Sequence, residues 1–248
     1  MDIFQRFKID KWLHMARYCI LLFLLLPFFT VAQQLQKSKY GADVLIQTGV
    51  YKKICRADSN KKMIELKAII PSIVYDLRYR TEDNFVKQPI YPRLTSVTFL
   101  RLPAANALAS VQKELAHKGL GLKIFDAYRP YSVTVKFWEL VKDERYVANP
   151  SKGSGHNRGL AVDLTIIELN TGKELDMGTG FDNFTDTAHH TFTALHETVL
   201  NNRKLLKDVM LKYGFKLFET EWWHYSWPND KNYEVMDLSF EKLNRLTK

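Results

Sequence analysis

Residues 154–169 read SGHNRGLAVDLTIIEL, a Gly- and Ser-containing loop that runs straight into an apolar strand. Leu160 to Leu169 is too short and too rich in β-branched residues for a helix, and it predicts a buried strand. Within it stands Asp163, flanked by Leu, Ala and Val. A carboxylate in such a run is expensive to bury unless it binds a cation or is hydrogen-bonded. His156 lies seven residues before it, at the loop end of the same stretch.

Outward from this strand the chain alternates short strands and helices. Asn170-Thr171-Gly172 makes a turn and KELDMG returns, which predicts a hairpin. On the N-terminal side, 68–79 (AIIPSIVYDLRY) predicts a strand interrupted by Pro71, and 80–97, with Pro89 and Pro92, a loop. A helix follows Pro103 and stops at Gly119; 120–128 (LGLKIFDAY) alternates as a strand, and Pro130 opens a second helix. Residues 144–158 and 178–191 are loops. Residues 196–214 form an amphipathic helix ending at Gly214, and FKLF and EWWHYSW close the chain as two strands. The pattern is α+β: a single domain with a small central antiparallel sheet and helices flanking it.

The chain of 248 residues is 46% hydrophobic and 25% charged, which excludes a disordered chain, a fibre and a multi-span membrane protein. Two cysteines exclude a disulfide framework. Cys19 to Ala32 is a 14-residue apolar run preceded by Arg6, Lys8, Lys11 and Arg17. A basic start, a short apolar run and Thr30-Val31-Ala32 describe a signal peptide over 1–32. The alternative is an uncleaved membrane anchor, but the run falls short of the ~20 residues of a spanning helix and contains Pro27. The expected order is signal 1–32, leader 33–67 and catalytic domain 68–248, in an exported, periplasmic or extracellular protein with no stable membrane insertion after cleavage. The net charge of +9 falls to +7 without residues 1–32. The remaining Lys and Arg are scattered, so the sequence predicts no nucleic-acid partner.

A second unusual histidine, His224, sits in EWWHYSW with Glu221 three residues before it. Imidazoles and a carboxylate suit zinc, and three protein ligands leave a fourth position for a water that can attack a carbonyl. Each residue alone has a plainer role: a core histidine, a half-exposed glutamate, an aspartate at a bulge. Spacing leaves the pair open, because Glu221 and His224 point to opposite faces of a flat strand. They converge only where the segment bends or one of them lies in the preceding turn.

The combination S-x-H-x-x-G-x-A-x-D (Ser154 to Asp163) followed by E-x-x-H (Glu221 to His224) resembles the VanX-type zinc D-alanyl-D-alanine dipeptidases. YRTEDNF (79–85), FDAYRP (125–130), MGTGFDNFTDTAHH (177–190) and EWWHY (221–225) extend the resemblance in order along the chain. It implies a hedgehog/DD-peptidase-like fold and a zinc metallopeptidase that splits the zwitterionic D-Ala-D-Ala dipeptide in cell-wall peptide turnover. His156, Asp163 and His224 would hold one Zn²⁺. Glu221 would act as general base and Arg129 would stabilise the oxyanion. Asp182 and Tyr79 would bind the substrate ammonium, Ser154 would line the same pocket, and Asp126 would orient Arg129. The nearest alternative enzyme is a D,D- or L,D-carboxypeptidase or endopeptidase acting on peptidoglycan stem peptides. An alternative of another class is an inert zinc-stabilised binding module, which has no need of Glu221 and Arg129. Gly155 departs from the family's frequent Ser before the first histidine, and His189 and His190 have no role beyond shaping the pocket.

Overall fold

The computed structural model describes residues 35–247; the expected signal segment lies outside the described residues. The strands are β1 (Gln36–Lys37), β2 (Asp43–Leu45), β3 (Met63–Glu65), β4 (Val74–Tyr75), β5 (Phe99–Arg101), β6 (Leu120–Asp126), β7 (Ala161–Glu168), β8 (Lys216–Phe218), β9 (Glu221–Ser226) and β10 (Val235–Met236). The helices are α1 (Thr48–Ala57), α2 (Leu66–Ile69), α3 (Leu102–Ala116), α4 (Tyr131–Val141), α5 (Glu197–Lys212) and α6 (Phe240–Thr247). Among the described residues no helix is long and apolar enough to cross a membrane.

The main sheet has five strands in the order β4-β6-β7-β9-β8. The β6–β7, β7–β9 and β8–β9 pairs are antiparallel, as expected, and only the edge strand β4 runs parallel to its neighbour. Alternation along β7 sends Val162, Leu164 and Ile166 to one core, where they meet Leu108, Val111 and Leu115 of α3 and Leu206, Val209 and Met210 of α5. The two helices present these residues at helical spacing, so one face of the sheet is covered. Asp163 is left to the other face, where the site is built.

Two local expectations differ from the structure. The stretch 68–79 is a strand only at Val74–Tyr75. Its start is the end of α2, because the Glu65 carboxylate caps that turn by accepting from the Ala68 N–H at 2.9 Å, and Pro71 stops further pairing. The hairpin return after β7 reduces to one bridge, Ile167 to Glu174.

Of the expected leader 33–67, the described part, 35–67, is woven into the body. β2 pairs in parallel with β10, and β3 pairs antiparallel with β5. Leu45 and Leu66 are fully buried. To this stretch α1 adds Val50, Tyr51, Ile54 and Cys55, all buried, from one face of the helix. Arg101, fully buried at the end of β5, ties it down. Its guanidinium donates to the carbonyls of Lys61, Arg158 (2.8 Å) and Glu234 (3.3 Å) and faces the Glu234 carboxylate at 3.5 Å. Replacing Arg101 with Ala strands these acceptors and is expected to cost about 3–5 kcal/mol. Denaturant unfolding checks this, and a loss below about 1 kcal/mol, the range of a surface ion pair, would contradict it.

Candidate metal centre and catalytic pocket

The site is a single row across three strands. In the sheet register Asp126 of β6 lies opposite Asp163 of β7, and Asp163 lies opposite His224 of β9. Cross-strand partners share a face, so this register brings the three side chains together. A bulge between Ile124 and Asp126 is what places Asp126 in the row.

β9 carries a larger irregularity. Leu217 of β8 pairs with Tyr225, but the next residue, Phe218, pairs with Glu221. The strand therefore bows outward over Trp222, Trp223 and His224, and both tryptophans are buried beneath it. This bend removes the opposite-face problem: the Glu221 carboxylate stands 3.8 Å from His224 Nδ1.

His156 comes from the turn His156–Arg158 just ahead of β7. Its Nδ1–H donates to the Ala127 carbonyl at 2.7 Å, which fixes the tautomer and aims Nε2 at Asp163, 3.4 Å away. His224 Nδ1 is 2.8 Å from the other Asp163 oxygen. One ligand atom from each of His156, Asp163 and His224 lies within 4.8 Å of the others. Burial holds both imidazoles below their usual range, so both are neutral donors. Burial, reinforced by Asp126, pushes Asp163 well above the usual carboxylate range. Two neutral imidazoles and a buried carboxylate meeting at one point fit a tetrahedral zinc ion with one open position.

Arg129 follows β6 and is held from behind. Its Nε and Nη2 donate to the same Asp126 oxygen at 2.9 and 2.7 Å. The other Asp126 oxygen accepts from Tyr91 Oη at 2.6 Å and from the Ala127 N–H at 2.9 Å. Burial works against the Arg129 charge, but Asp126 together with Tyr79, Tyr91 and Asp163 outweighs it and holds the guanidinium above its usual range. The Tyr79 and Phe137 rings lie 5.1 and 5.0 Å from the guanidinium carbon.

Tyr79 Oη donates to Asp182 at 3.2 Å from either carboxylate oxygen. Burial pushes Asp182 well up, and Asp163 and Glu221 push in the same direction. Glu221 is pushed up to about 7, first by burial and then by Asp163, against the pull of His224 and Arg129. Carboxylates thus outnumber cations here, and the excess calls for positive charge from a ligand.

Tyr79, Arg129, Ser154, His156, Asp163, Asp182, Glu221 and His224 all line one cavity of about 270 Å³, while Asp126 stands behind Arg129. The structure thus brings together every residue given a role at the site, whereas His189 and His190, expected to shape the pocket, do not line the cavity. Ser154 is there, but its Oγ already accepts from the Asn157 N–H at 3.2 Å. Asn157 and Tyr91 were not expected. Asn157 donates to the Arg129 carbonyl and to Thr134 Oγ1, each at 2.8 Å, and so locks the histidine turn to the arginine segment. Its position inside S-x-H-x-x-G was a usable signal. Tyr91, in a proline-flanked loop, offered none.

A family profile described as D-ala-D-ala dipeptidase matches residues 59–242. A D-alanyl-D-alanine dipeptidase of Escherichia coli (strain K12) is 33% identical over 179 residues, covering 72% of this chain and 91% of that protein. One from Enterococcus faecalis (strain ATCC 700802 / V583) is 30% identical over 178 residues, covering 64% of this chain and 88% of that protein. Among solved structures, an LD-carboxypeptidase studied for peptidoglycan recognition overlaps 60% of this chain and 70% of its own at 26% identity, with a TM-score of 0.35.

The donor set predicts that equilibrium dialysis loads about one zinc ion per chain. His156→Ala is expected to lose stoichiometric metal, since two ligands hold zinc far less well than three. Full zinc content in that variant would remove His156 from the ligand set.

Proposed function

The chain belongs to the D-Ala-D-Ala dipeptidase family, and from that premise we propose that it hydrolyses D-alanyl-D-alanine to two D-alanines, with His156, Asp163 and His224 holding one zinc ion. The observation that carries this reading is the pairing of the three-ligand cluster with a buried acidic end, Asp182 and Tyr79, in one small cavity. At about 270 Å³ the cavity falls at the lower edge of the usual range for small-molecule sites, ~300–1,000 Å³. A free dipeptide suits it better than a long stem peptide.

Zinc, when bound, would supply Lewis acidity to polarise the peptide carbonyl and to make water acidic. The remaining chemistry belongs to the side chains. Glu221, with an affinity for protons matched to neutral pH, takes a proton from the attacking water and passes one to the leaving amine. Arg129, fixed by Asp126, presents a desolvated cation to the oxyanion that develops on the carbonyl oxygen. Asp182, with Tyr79 donating to it, receives the substrate ammonium. An incoming ammonium supplies the cation that Asp182 lacks and favours its charged form. A peptide with a blocked or extended amino end leaves that carboxylate without a cation beside it, and this is the basis for rejecting it. The basic and apolar residues of 1–32 support an exported enzyme acting on dipeptides released from the cell wall.

Glu221→Ala is expected to reduce kcat by about 10²–10⁴-fold while still binding zinc, because Glu221 is outside the ligand set. Wild-type-like turnover in that variant would refute its role as base. D-Ala-D-Ala should be cleaved about a hundredfold or more better, in kcat/KM, than its N-acetylated form. Release of D-alanine followed on both substrates checks this, and cleavage of the capped or longer peptide alone would sink the dipeptidase reading.

A further inference from the structure

Asp182 stands on a 14-residue loop, 177–190, and adopts a left-handed backbone with φ of 59°. An aspartate in that region is strained by roughly 1–3 kcal/mol and stays there only where the surroundings impose it. Aromatic packing accounts for part of this. Phe181 stacks on Phe125 at 4.9 Å and meets the Trp223 edge at 5.6 Å, and Trp222 Nε1 donates to Thr179 Oγ1 at 2.8 Å.

Arg203 on α5 also contacts this loop. This residue occupies the apolar stripe of the helix, with Val199 and Leu206, and is 6% exposed. Among the described residues it makes no ion pair with any carboxylate. Its Nε donates to the Met177 carbonyl at 2.7 Å, and its Nη1 to the carbonyls of Thr187 at 2.9 Å and His189 at 3.4 Å. Met177 and Thr187 lie equally far from Asp182 along the chain, on opposite sides. One planar guanidinium therefore closes both ends of the loop that carries the carboxylate. The loop passes over the helix so closely that a Cβ on Gly178 would come within 2.8 Å of Val199. Its far end then joins the catalytic strand, because the His190 N–H donates to the Glu219 carbonyl at 2.9 Å, just before Glu221.

For stability alone an apolar side chain of similar length would serve this stripe as well as a buried cation does. What Met or Leu cannot do is hold two carbonyls at a fixed separation, which a forked donor can. We propose that Arg203 is a positioning residue for ammonium recognition: it closes the 177–189 loop and thereby sets where Asp182 stands against Tyr79. The proposal rests on Asp182 being the ammonium partner.

The test uses the full chain loaded with zinc, in four forms: Arg203→Met, Arg203→Lys, Asp182→Asn and the Met/Asn double variant. Steady-state kinetics on D-Ala-D-Ala and N-acetyl-D-Ala-D-Ala are measured beside zinc content and thermal melting. Arg203→Met is expected to raise KM for the free dipeptide about tenfold, the scale of a lost hydrogen bond to a charged group. In the same variant kcat should change less than about threefold, zinc should stay bound, and the preference for free over capped substrate should fall in step with KM. Arg203→Lys, able to reach one carbonyl at a time, should fall between, and it decides the matter with the same readouts where the Met variant does not fold. Adding Arg203→Met to Asp182→Asn should change KM little further, because both act through one contact. A variant that melts lower with unchanged KM and unchanged preference, or one whose effect adds fully to that of Asp182→Asn, would overturn the proposal. Retained preference in Asp182→Asn itself would instead sink the ammonium reading on which the proposal rests, whereas loss there with both Arg203 variants unaffected defeats only the role of Arg203.

Discussion

Asp163 sits third in β7, between Val162 and Leu164, a residue 3% exposed with its carboxylate on the site face of the sheet. A charge in that position needs partners on its own face, since the strand's other face is given to the apolar core. The sheet supplies them in register, with Asp126 on one side and His224 on the other, and the turn before β7 adds His156 from above. Two departures from regular pairing then follow. The bulge in β6 brings Asp126 into the row, and the bow in β9 turns Glu221 toward the site it would otherwise face away from. Irregular pairing at these two places is a condition of the site, and the regular pairing of β6 with β7 from Leu120 to Ile124 gives it a rigid base.

The electrostatics extend from the same carboxylate. Asp163, Asp182 and Glu221 are each raised by burial, and Asp163 adds to the shift of the other two. Within protein alone the arrangement has one strong fixed cation, Arg129, already engaged by Asp126. The remaining negative charge is divided between two places: the ligand cluster, which suits a divalent ion, and the Asp182–Tyr79 end, which suits a single ammonium. This local imbalance selects for a small cationic group inside a protein whose overall charge is +9. Net charge therefore says little about the substrate, while two buried and two half-buried carboxylates around one cavity say a good deal.

Much of this was legible in the sequence where a single physical pattern governs each segment. Leu102–Ala116, Leu120–Asp126, Tyr131–Val141 and Ala161–Glu168 carry clean periodicity bounded by Pro or Gly, and they form as expected. Residues 33–67 read as a polar leader because charged and polar residues separate their apolar ones; Val50, Tyr51, Ile54 and Cys55 do recur at helical spacing in α1, and only the β2–β10 and β3–β5 pairings, made with strands far along the chain, leave no local period. The site residues were legible as a set because two segments distant in sequence carry chemically matched groups. Of the supports, Asn157 alone was marked, by its place inside S-x-H-x-x-G. Tyr91 and Arg203 act by donating to a carboxylate and to backbone carbonyls, and such contacts leave no spacing rule behind.

Gly155 shows how the support and the site are joined. From sequence it stands as the loss of a hydroxyl next to the first histidine. In the fold its Cα lies against the start of β7, where an added Cβ would come within 2.9 Å of the Ala161 Cβ. The Leu160 N–H also donates to the Gly155 carbonyl at 2.9 Å, so the turn closes tightly on the strand. Ala161 is two residues from Asp163 and pairs with Ser226, two residues from His224. A side chain at 155 would have to move either the His156 turn or the first pair of the β7–β9 ladder, and both lead into the three-residue cluster that could hold a metal. The glycine is thus tied to this chain's own packing of turn on strand, where the backbone of the histidine turn meets the sheet with no room for a side chain between them.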